Sequence, residues 1–94
     1  MDISKAKSFL DSLGIKFDGQ EQNGKYIIDL KDSDTYSKVY TILDKSELVD
    51  LDIESLNMNE EESTMVYLSY DYDITLGANF DENEYTLTIE EADE

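Results

Sequence analysis

The chain has 94 residues, 39% of them hydrophobic, with seven lysines, 24 Asp or Glu, no histidine and no cysteine, for a formal net charge of −17. A single domain of this size buries roughly 60–65% of its unfolded surface, enough for a core but not for a deep cleft. The lack of cysteine excludes a disulfide framework and a thiolate zinc site, the charge excludes direct binding to DNA, RNA or anionic lipid, and with no run of about 18 apolar residues the protein is expected to be cytoplasmic, without a membrane span.

In chain order, residues 3 to 13 predict a short amphipathic helix, because Ile3, Ala6, Phe9, Leu10 and Leu13 share one face. Asp2 or Ser4 is placed to cap its start, and Gly14 suits the left-handed position past its end. Ile15 to Asp18 reads as a short strand, Gly19 to Gly24 as a polar loop bounded by glycines, and Lys25 to Leu30 as a strand. Asp32-Ser33-Asp34 is a helix-start signal, and Tyr36, Val39, Tyr40 and Leu43 then recur at helical spacing, which predicts a second helix over about Asp34 to Lys45.

From Glu47 the period changes to two. Val49, Leu51 and Ile53 alternate with Asp50, Asp52 and Glu54, the pattern of a strand with one apolar and one acidic face. Val66, Leu68, Tyr70, Tyr72, Ile74, Leu76, Ala78 and Phe80 then hold every even position. That run is long for one strand. A three-residue hairpin loop at Asp71, Tyr72 and Asp73 preserves such parity and is the expected break. Past Phe80 the parity flips to Tyr85, Leu87 and Ile89, as a tight turn centred on Glu82-Asn83 requires; that turn pairs Phe80 with Tyr85 and Ala78 with Leu87.

The expected fold is therefore α+β, with two short helices packed on a mostly antiparallel sheet of about four to five strands whose other face or rim is acidic. Residues 1–94 form one domain, and its tail, 91–94, is expected to fray. Its charge is sharply divided. Residues 1–45 hold seven Lys against eight Asp or Glu, a sum of −1; residues 46–94 hold sixteen carboxylates and no cation, a sum of −16.

Catalytic chemistry finds little footing. Acid-base groups are restricted to carboxylates, lysine and tyrosine, and crowded exposed carboxylates are in general a solvated face. Asp71, Asp73, Thr75 and Glu82 follow the spacing of a calcium loop, but Leu76 stands where that loop requires glycine. Neither GxGxxG nor GxxxxGK occurs. The reading is of a protein that is not an enzyme and needs no metal or cofactor.

The informative feature is the acidic series Asp50, Asp52, Glu54, Glu60, Glu61, Glu62, Asp71, Asp73, Asp81, Glu82, Glu84 and Glu90. Carboxylates two apart on a strand project about 6.6 Å apart, close to two steps of a nucleic-acid strand at about 3.4 Å each. Solubility needs a net charge of only about 2–8, and excess like charge destabilises a fold by self-repulsion. These acids are therefore read as a partner-binding surface, for a basic DNA-binding protein or nuclease.

In charge and size, Glu47 to Glu94 resembles the phage-encoded DNA-mimic inhibitors: anti-restriction proteins, anti-CRISPR proteins and inhibitors of uracil-DNA glycosylase. The resemblance carries no shared motif, and those families have unrelated folds. It implies a non-catalytic inhibitor that fills the DNA groove of its target in the host cytoplasm. Two other readings stay open. One is an immunity-type inhibitor of a basic toxin, with Met65, Tyr67, Tyr72 and Tyr85 as aromatic or apolar anchors among acids. The other is a small structural or adaptor domain, dimeric through Met65 and Tyr67.

Overall fold

Asp2 caps the first helix, its side chain accepting a 3.3 Å hydrogen bond from the Lys5 N–H. The helix, α1, spans Ile3–Leu13 and ends at Gly14, where φ is +91°. There the Gly14 N–H donates to Asp11 and the Ile15 N–H to Leu10. This double closure leaves Leu10 and Ile15 both buried. The structure, a computed structural model, describes residues 2–46, 49–51 and 62–92. After α1 come β1 (Gln20–Gln22), β2 (Lys25–Asp29), α2 (Ser33–Lys45), β3 (Val49–Leu51), β4 (Glu62–Leu68), β5 (Tyr72–Asn79) and β6 (Glu84–Glu91). Asp32 caps α2 by accepting from the Thr35 N–H at 2.8 Å, which holds its carboxyl below the usual range.

The fold is α+β. Its strands form one antiparallel sheet in the order β1-β2-β6-β5-β4-β3. Ala6 and Leu10 of α1 and Val39 and Leu43 of α2 enter one buried cluster with Tyr26 and Ile28 of β2, Ile74 and Leu76 of β5, and Leu87 and Ile89 of β6. Both helices thus cover the same face. Alternation turns Ile27, Thr75, Thr88 and their neighbours to the opposite face, helix-free among the described residues.

Among the described residues six strands exceed the expected four to five, because the polar segment after Gly19 pairs. Asn23 and Gly24 both have positive φ, +53° and +79°, as a two-residue type I′ hairpin turn requires. Gln22 consequently faces Lys25, and β1 forms. Ile15 to Asp18, expected as a strand, is not one. The chain next passes so close to β2 that a Cβ on Gly19 would lie 2.3 Å from the Ile27 carbonyl oxygen. The Gly19 N–H donates to the buried Tyr26 hydroxyl at 2.8 Å.

Two turns differ from expectation. The β4–β5 loop has two residues, Tyr70 and Asp71, with Leu68 opposite Asp73 and the Ser69 N–H bonded to the Tyr72 carbonyl at 2.8 Å. A two-residue loop reverses parity, so on β4 the odd residues face the helices. Tyr67 is 1% exposed, and Met65 packs on the core. Val66 and Leu68 are turned to the other face.

The β5–β6 loop holds four residues, Phe80 to Asn83, with the Glu82 N–H bonded to Asn79 Oδ1 at 3.1 Å and Asn83 left-handed at φ +53°. Four residues keep the parity of two, so the face assignment stands, but the register moves by two. Ala78 pairs with Tyr85, Leu76 with Leu87 and Ile74 with Ile89. Freed from the ladder, Phe80 packs edge-on against Tyr36 and Tyr85, with centroids 5.9 and 6.0 Å away. Glu91, expected in a fraying tail, pairs with Tyr72, and the Ala92 N–H donates to the Asp71 carbonyl at 2.9 Å.

Candidate functional site

Segregation of charge along the sequence becomes segregation among the secondary-structure elements. Lys5 and Lys7 lie on α1, Lys16 and Lys31 in connections, Lys25 on β2, and Lys38 and Lys45 on α2. From Glu62 to Ala92, covering β4, β5 and β6, there are eight carboxylates and no cation.

Pairing then sorts seven of these acids into two margins of the helix-free face, while Glu91, opposite Tyr72, has the parity of the core residues. At one end Asp73 stands opposite Glu90. Lys25 approaches Glu90 to 3.7 Å, both side chains being well exposed, so that ion pair contributes little. At the other end Asn79 is flanked by Glu62 of β4 and Glu84 of β6. Asp81 and Glu82 extend this margin into the exposed β5–β6 loop. Asp71 extends the first margin into the β4–β5 tip, beside Tyr70, which is 97% exposed.

A floor separates the margins. Ile27, Thr88, Thr75 and Val66 are successive cross-strand partners from β2 to β4, all half-buried. Beside them Gly77 sits between Thr64 and Thr86. Sequence reasoning missed this floor because it follows the β4 register. Had the Tyr70-Asp71 loop been read as two residues, Thr64 and Val66 would have fallen on the same face as Thr75 and Thr88.

The twelve acids singled out from the sequence are therefore not one series. Glu62, Glu84, Asp81 and Glu82 gather at one margin; Asp71, Asp73 and Glu90 gather at the other. Asp50 lies in β3, with Tyr67 as its register partner. Asp52, Glu54, Glu60 and Glu61 are outside the described residues. The anchors considered for an immunity-type inhibitor fare differently from one another. Tyr67 and Tyr85 are buried, Met65 is packed on the core and Tyr72 is half-buried against Phe9, with centroids 5.0 Å apart. A dimer through an exposed Met65–Tyr67 surface is thus not available, since both residues face the helix layer.

Tyr72 is held above the ordinary phenol range by burial and by the Asp71, Glu91 and Asp2 carboxylates. Away from the acidic margins, Lys7 is raised by its 2.9 Å contact with Asp18. A depression of about 660 Å³ beside the β4–β5 tip is lined by Asp2, Lys5, Tyr70, Asp71, Tyr72, Glu91 and Ala92. Its lining combines three carboxylates with one lysine. Among the described residues no helix is long and apolar enough to cross a membrane. No protein-family model, curated protein or solved structure matches the chain.

Proposed function

We propose that the protein is a non-catalytic inhibitor that occupies the basic groove of a DNA-binding protein or nuclease in place of DNA. The observation that carries this reading is the cation-free stretch from Glu62 to Ala92: seven of its eight carboxylates, all but Glu91, are set at the two ends of a face that neither helix covers. Opposed like charges such as Asp73 and Glu90 destabilise the isolated sheet, and burial against a cationic groove offsets that repulsion. Steering by a field of this sign speeds association with basic partners and repels nucleic acid.

The test is capture with the tagged protein, followed by elution with excess duplex DNA and then with salt. Recovery of a nuclease or DNA-binding protein released by DNA, and inhibited by the pure protein in competition with DNA, supports the reading. A captured protein that duplex DNA leaves in place defeats mimicry. A second reading, an immunity-type inhibitor of a basic toxin, is favoured by one observation, the 97% exposed Tyr70 beside Asp71 at the hairpin tip, the arrangement of an aromatic anchor among acids. A toxin partner would lose affinity with Tyr70→Ala and show no competition with DNA.

A further inference from the structure

We infer that the helix-free face is the seat for a basic α-helix of the partner, laid across β2, β6, β5 and β4 between the two acidic margins. This rests on the reading of the protein as an occupant of DNA-binding grooves, and it names the partner element that meets it.

Dimensions favour a helix. Asp73 and Asn79 mark the two margins on β5 and are six residues apart, about 20 Å along the strand. A helix with its side chains is about 10–12 Å across. The remainder, some 4–5 Å on each flank, suits the outer reach of Lys and Arg side chains whose stems lie along the helix. Duplex DNA poses the same problem, since its major groove, about 12 Å wide, admits one helix between two rows of phosphates.

The floor chemistry agrees with the dimensions. Ile27, Thr88, Thr75 and Val66 run across the sheet as one cross-strand row. They offer methyl groups to an apolar stripe, with hydroxyls interspersed, much as a thymine edge offers a methyl beside an acceptor. Gly77, bearing no side chain between Thr64 and Thr86, lowers the floor where a larger residue would stand.

Charge complementarity selects the occupant. A second copy of this face would bring Glu62, Asp73, Glu84 and Glu90 against margins of their own sign, with Lys25 as the face's lysine on β2. An extended peptide joins a sheet at its edge and spans about 5 Å in the plane, leaving at least one margin unreached.

The test titrates the isotopically labelled full chain with a synthetic helix-forming peptide of about 16 residues, long enough at about 1.5 Å per residue to cross the sheet. It carries Lys and Arg on both flanks of an Ala/Leu stripe, and a scrambled peptide of equal charge serves as control. Amide shifts should concentrate at Val66, Thr75, Gly77 and Thr88. Thr75→Arg, and independently Asp73→Lys with Glu84→Lys, should weaken binding by about tenfold or more, while Ser37→Arg on the exposed side of α2 changes it by less than about twofold. Melting curves establish that each variant is folded. Shifts centred on the helices or on the Tyr70–Asp71 tip, equal binding of the scrambled peptide, or equal loss with Ser37→Arg would overturn the inference. Its failure is separable from that of mimicry. A peptide seated on the face beside a target that DNA cannot displace defeats mimicry alone; a DNA-displaceable target with shifts elsewhere defeats this seat alone.

Discussion

Asp73 and Glu90 face each other directly across β5 and β6, two carboxylates in a position where opposite charges would stabilise the sheet. Lys25, 3.7 Å from Glu90, offsets only part of their repulsion, because both groups are open to solvent. Asp73→Asn should therefore raise the melting temperature by a few degrees at low salt, on the basis of about 0.2–1 kcal/mol for such a pair. The gain should shrink as NaCl is added. A lower melting temperature for the variant would mean that another cation already compensates the pair.

Exposure reverses between adjacent residues on β4, and that reversal is measurable. Tyr67, 1% exposed, lies under the helices, and Tyr67→Ala should cost about 3–5 kcal/mol by analogy with other large aromatic truncations. Leu68, on the other face, should lose about 1 kcal/mol or less on truncation to alanine. Urea unfolding of the two variants checks the order. Equal losses would contradict the two-residue loop at Tyr70-Asp71.

Glycine positions supply a second contrast. A methyl on Gly19 would lie 2.3 Å from the Ile27 carbonyl oxygen and 2.7 Å from Ile28 Cγ1, so Gly19→Ala must displace backbone and should destabilise by about 1–3 kcal/mol. At Gly77 the nearest atom is Thr86 Oγ1 at 3.2 Å, a side-chain atom able to give way. Gly77→Ala should stay within about 1 kcal/mol of neutral, the gain from a stiffer unfolded chain offsetting the adjustment. Chemical denaturation of both variants decides the matter.

Alkaline pH should loosen the fold in a defined direction. Burial pushes the Tyr36 phenol up, a hydrogen bond with Ser63 pulls it partly back, and burial followed by the Asp71, Glu91 and Asp2 carboxylates raises Tyr72. Raised folded values mean that the folded state holds these protons more tightly than the unfolded chain. The resulting stabilisation is complete below the unfolded phenol value near pH 10 and is lost as pH rises through the folded values. Melting temperature should fall over that window, and Tyr72→Phe or Tyr36→Phe should flatten the fall.

Local signals with a physical cause were legible from the residues. Asp2 and Gly14 bounded α1, Asp32 opened α2, and alternation assigned Leu87 and Ile89 to the core. Alternation carries parity only, however, and β4 is apolar on both sides at Met65, Val66, Tyr67 and Leu68. The face of this strand depended on the length of the Tyr70-Asp71 loop, which neither glycine nor asparagine marks. Parity was also blind to the two-residue shift between β5 and β6, where a four-residue loop replaces a tight turn. Asn23-Gly24 is a hairpin signal in its own right, but Gln20, Glu21 and Gln22 beside it offer no apolar alternation to mark a strand. Of the candidate site, the sign of its charge was readable in advance. Its division into two margins depended on the register.

The place of β6 in the sheet has a consequence for the order in which the molecule is made. This strand lies between β2 and β5, yet it comes after all five of its sheet companions in chain order. Until Glu84–Glu91 leaves the ribosome, the β1–β2 hairpin and the β5-β4-β3 meander have no common partner, and each presents an open edge to other nascent chains. Joining of the sheet is therefore withheld until β6 is translated, and a chain cut before Glu84 would be left as two unjoined half-sheets.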